Sequence, residues 1–125
     1  MQVNNVSFGN VYIGYTLTEK LASSRVSKKL VKDITEIRYL LAKSKIDRLR
    51  YVDIILQKGE DGFYGVIHSK KYGVPINPDC RHFISTQSEK FAQFVKWVKD
   101  WNSAYSPKAM ARYNDLLDSI LNFKK

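Results

Sequence analysis

The sequence predicts one α+β domain over residues 1–125: a small, mainly antiparallel sheet of about four strands, one face covered by three helices, in the order β-α-β-β-β-α-α. Three observations predict it. Two apolar runs, residues 48–57 and 63–67, flank the polar tip Lys58-Gly59-Glu60-Asp61-Gly62, a β-hairpin signature. Three stretches that open near Ser27, Thr86 and Ser106 carry apolar residues at helical spacing behind a side chain able to cap a helix. No internal repeat, low-complexity segment or dividing linker interrupts them.

Taken in order, residues 3–17 read as strand. Val11, Ile13, Tyr15 and Leu17 alternate with Tyr12, Gly14 and Thr16, and Gly9-Asn10 allows either a tight turn or a bulge. Residues 19–26 read as a connection. Ser27 is placed to cap a helix to about Ser44, with Leu30, Ile34, Ile37 and Leu41 as its stripe and Lys43 and Lys45 at its negative pole. In the hairpin, Val52, Ile54 and Leu56 form a purely aliphatic side, predicted to be core. Tyr51, Asp53, Ile55 and Gln57 form a mixed side, predicted to be partly wet.

Residues 70–78 hold too many breakers for a helix, and residues 81–86 read as a third short strand. Thr86-Gln-Ser-Glu89 matches a capping box that opens a helix with Phe91, Phe94, Val95, Val98, Trp101 and Tyr105 on one face and Trp97 at its margin. Ser106-Pro107 opens the last helix, whose stripe of Met110, Tyr113, Leu117, Ile120 and Leu121 is sized for a core. The order of hairpin, further strand and amphipathic helix over residues 48–102 resembles in outline the Pur-type and whirly-type single-strand binders. The resemblance is one of element order, and no residue role follows from it.

Composition adds one anomaly. The net charge is +9 and the pI is near 9.7. Residues 20–50 hold ten Lys/Arg against three acids, while residues from 51 onward hold eleven against eight. Such a surplus attracts polyanions: nucleic acid, an acidic protein surface or an anionic membrane face. Cys80 is the one cysteine, which excludes an intramolecular disulfide and a thiolate zinc site and suits a reducing, cytoplasmic setting. The chain has no apolar run of the ~20 residues that a membrane span needs, and its first residues lack a secretory pattern.

No motif names a reaction, and neither a cofactor nor a metal is expected. The leading expectation is a small basic nucleic-acid-binding protein. Its phosphate contacts would come from Lys28, Lys29 and Lys32 on the first helix and from Arg48, Arg50, Lys70, Lys71 and Arg81 around the sheet. Tyr51, Tyr64 and Tyr72 would stack bases. One alternative is a protein-interaction module, such as an inhibitor or accessory factor of a phage or mobile element. Another is a small metal-independent ribonuclease or toxin in which His68 and His82, on paired strands, serve as acid and base. The aromatic face around Trp97 and Trp101 would serve equally as a homodimer seam or an internal contact.

Overall fold

The computed structural model describes residues 7–23, 25, 27–70 and 81–122. Its strands are β1 (Ser7–Phe8), β2 (Val11–Ile13), β3 (Val52–Lys58), β4 (Phe63–Ser69) and β5 (Arg81–Ile84). Its helices are α1 (Tyr15–Ala22), α2 (Lys28–Lys43), α3 (Ser88–Ala104) and α4 (Pro107–Leu121), with a single 3-10 turn at Ile46–Arg48. Among the described residues, the five strands form one sheet in the order β1-β2-β3-β4-β5. The fold is α+β. Three of its four ladders are antiparallel, and β2 runs parallel to β3, with Val11 beside Ile54 and Ile13 beside Leu56.

The parallel ladder follows from the chain's path. A strand that must return in the same direction needs a long crossover, and α1, α2 and the 3-10 turn supply it. Gly9-Asn10 is a tight turn and not a bulge. Gly9 takes φ +59 while Asn10 stays negative, which suits the turn type that wants glycine first. A Cβ at Gly9 would fall on the Asp47 carbonyl oxygen. Asn10 then ties the N-terminal strands to the sheet. Its Nδ2 donates to the Val52 carbonyl at 2.9 Å, its amide donates to Asp47 O at 3.1 Å, and its carbonyl accepts from Ile54 N at 2.8 Å.

The hairpin alternation holds. Val52, Ile54 and Leu56 on β3 and Phe63 and Ile67 on β4 are buried, and their neighbours are half-buried. The buried side packs on Ile37 and Leu41 of α2 and on Phe91, Phe94 and Val98 of α3. Gly65 is the point of closest approach: a Cβ there would come within 2.9 Å of the Phe94 ring.

Three expectations are corrected. Tyr15 and Leu17 lie in α1 and not in a strand, and the predicted connection at residues 19–26 is partly helix. Extended backbone at Gly14 ends β2, and Gln57 on β3 caps the helix from outside: its Oε1 accepts from Thr16 N at 3.1 Å and from Thr16 Oγ1 at 2.7 Å. Ser27 and Ser106 do cap α2 and α4, but the Thr86 capping box does not form. Instead α3 starts at Ser88 without a side-chain cap. Finally, the stripe on α4 is not a core stripe, for no residue of α4 is buried. Among the described residues no helix is long and apolar enough to cross a membrane.

Candidate functional site

Opposite α2 and α3, the sheet presents a second face, which the start of α1 borders at Gln57. Register places Gln57, Tyr64 and Phe83 in one row across β3, β4 and β5. The next row holds Tyr12, Ile55, Val66 and Arg81, and the row beyond it holds Asp53 and His68. All of them are half-buried or exposed. Phe83 is 61% exposed and meets the Tyr64 ring edge-on, with centroids 6.4 Å apart. The Arg81 guanidinium lies 5.3 Å from the Tyr64 ring centre. Two aromatic rings and a cation over one of them thus share a solvent-facing surface, and such a surface can stack a planar π-system and hold an adjacent anion.

Further along β4 the face becomes ionic. Lys70 Nζ lies 3.8 Å from Asp53 Oδ1, an attraction of charges too long for a hydrogen bond. Burial pushes the Asp53 carboxyl above its ordinary value, against the pull of Lys70 and His68. Burial likewise holds the His68 imidazole below its ordinary value, against the pull of Asp53. From Tyr64 to Lys70 is six residues, or about 20 Å of strand.

Comparison with family models, curated proteins and solved structures returns no match. The likeness to Pur-type and whirly-type binders therefore stays one of element order, and the site rests on its own geometry.

That geometry sorts the residues singled out from sequence. Tyr64 and Arg81 come together on the open face. Arg50, Tyr51 and Lys70 line a cleft at the far end of the β3–β4 ladder, beside Tyr105 at the end of α3 and Pro107 and Met110 at the start of α4. The Tyr51 amide is fixed there by Asn102 Oδ1 at 2.9 Å. Arg48 is exposed at the end of the 3-10 turn. Lys28, Lys29 and Lys32 stand on the outside of α2, and Lys29 is paired with Asp33 at 2.8 Å. The cations are thus spread over more than one surface. Lys71, Tyr72 and Cys80 lie outside the described residues.

The two-histidine site is corrected. His68 lies on the open face and His82 on the buried one, because His82 is the partner of Gly65 and His68 that of Asp53. The His82 ring sits 5.2 Å from Trp97 and 5.8 Å from Phe94, and its Nδ1 donates to the Phe83 carbonyl at 2.8 Å. An acid and a base on opposite sides of a sheet cannot act on one phosphate. Among the described residues no group of three His, Cys, Asp or Glu gathers as a metal site.

Phe83 and Tyr12 were not singled out from sequence. In Arg81-His82-Phe83-Ile84 each face receives one apolar and one polar residue, so alternation alone does not say which faces out. The signal lies in α3, whose Phe94 and Trp97 accept the imidazole and leave Phe83 outside.

Proposed function

We propose that this protein binds nucleic acid through the open face of its sheet. Bases stack on Phe83 and Tyr64, and Arg81 and Lys70 hold the backbone. The observation that carries this reading is the solvent-facing Phe83 edge-on to Tyr64, whose ring carries the Arg81 guanidinium. A large exposed aromatic on a sheet costs solubility and adds little to the core, so it suits a surface that takes up a π-face partner. The net charge of +9 supplies the long-range attraction. Stacking needs unpaired bases, so the partner class is single-stranded DNA or RNA.

Fluorescence anisotropy with labelled single-stranded DNA, RNA and duplex tests it. Phe83→Ala is expected to weaken single-strand binding by roughly five- to hundredfold, the loss of one stacked base. Arg81→Ala is expected to flatten the salt dependence by about 0.7 per lost phosphate contact. Equal affinity of Phe83→Ala and wild type would rule the reading out.

A further inference from the structure

Helix α4 departs from the pattern of the other long helices. Helix α3 buries Phe91, Phe94 and Val98, while α4 buries nothing. Tyr113 is 54%, Leu116 60% and Ile120 59% exposed. Ala109, Tyr113, Leu116 and Ile120 follow one another at spacings of four, three and four, the repeat of a helix–helix seam. A shallow groove runs along that seam, with Arg112, Asp115 and Ser119 as its wall.

The charges say what covers it. Lys108 and Arg112 lie in the first half of α4, Asp115 and Asp118 in the second. This order opposes the helix dipole, which favours acids first and bases last. Among the described residues none of the four is in an ion pair. We propose that α4 packs antiparallel against α4 of a second copy of this chain. In that arrangement Ala109 of each copy faces Ile120 of the other, small against large, and Tyr113 faces Leu116. Arg112 then comes within a turn of Asp115 of the second copy, and the reverse holds by symmetry. Parallel pairing would instead gather Lys108 and Arg112 of both copies at one level and Asp115 and Asp118 of both at another, like charge near like. A lipid surface is a poorer occupant, because a membrane-lying helix carries a basic polar face and α4 holds as many acids as bases. The seam is about 17 Å long, so the dimer is weak and concentration-dependent. The inference rests on α4 alone and is independent of the sheet face.

Sedimentation equilibrium over a concentration series tests it. The mass is expected to rise from the 14.5 kDa of one chain towards twice that value. Leu116→Lys, at an exposed site that leaves the circular dichroism spectrum unchanged, is expected to hold the protein at one chain. Arg112→Asp and Asp115→Arg are each expected to move the half-point to roughly three- to tenfold higher concentration, and the double exchange to restore it. A mass of one chain at every concentration overturns the proposal, including where the protein sediments with phosphatidylglycerol vesicles, as a lipid-facing stripe would. A double exchange that fails to restore association overturns the antiparallel pairing.

Discussion

Asp53 and His68 face each other across β3 and β4, and each is held towards its neutral form by burial. The folded chain therefore binds fewer protons at His68 than the unfolded chain does just below the ordinary value of 6.5. Stability is full above that pH and falls as pH drops through it towards the lower folded value. At Asp53 the sign reverses. The folded state holds its proton at pH values above the ordinary 3.8, so the fold gains stability as pH drops through that window. The urea midpoint is expected to decline below pH 6.5, and His68→Gln is expected to remove part of that decline. An unchanged profile in the variant would show that another group titrates. The identity of this pair was legible in the sequence only as far as strand alternation reaches. That His68 lies on the open face of the sheet and His82 against Trp97 depends on the register of β4 with β5, and on which side α3 settles.

At the scale of elements, sequence pattern located what local forces decide. Helices α2 and α4 begin behind the serines expected to cap them, because an N-cap acts within three residues. The start of α1 was hidden, since its cap comes from Gln57, 41 positions away from Thr16. A run such as Tyr15-Thr-Leu-Thr is rich in strand-favouring side chains, and a remote acceptor turns it into a helix. The end of α2 carries a local strain. Lys45 sits at φ +63 just past the helix, where glycine is the usual residue, and its amide donates to Ala42 O at 3.1 Å. Lys45→Gly is expected to raise unfolding free energy by up to about 1 kcal/mol, the left-handed penalty less the added freedom of the unfolded chain. Chemical denaturation measures it, and a loss of stability would mean that the lysine side chain contributes there. The stripe on α4 was read correctly as apolar and wrongly as core, because periodicity reports a face and not what lies against it.

For the whole molecule, the surplus of positive charge opposes compaction as well as attracting anions. The cations stand at both ends of the β3–β4 ladder, on α2 and on the open face, so their mutual repulsion is spread through the fold. Raising ionic strength from about 10 to about 150 mM shortens the screening length from about 30 to about 8 Å. The thermal midpoint is expected to rise over that range, while affinity for nucleic acid falls. Calorimetry at the two salt levels separates these effects, and a midpoint that falls with salt would point to favourable ion pairs instead. The α+β class was legible because each element shows its own period. The parallel ladder was not, since nothing within β2 tells it to wait for a neighbour beyond two helices. That wait has a cost in time. As the polypeptide leaves a ribosome, the first hairpin must stand alone, and an isolated two-stranded hairpin is marginal in water. It can be secured only once Val52 has emerged to meet Asn10, 42 positions later. Assembly should therefore nucleate on the later hairpin, β3–β4, and take up the earlier strands last.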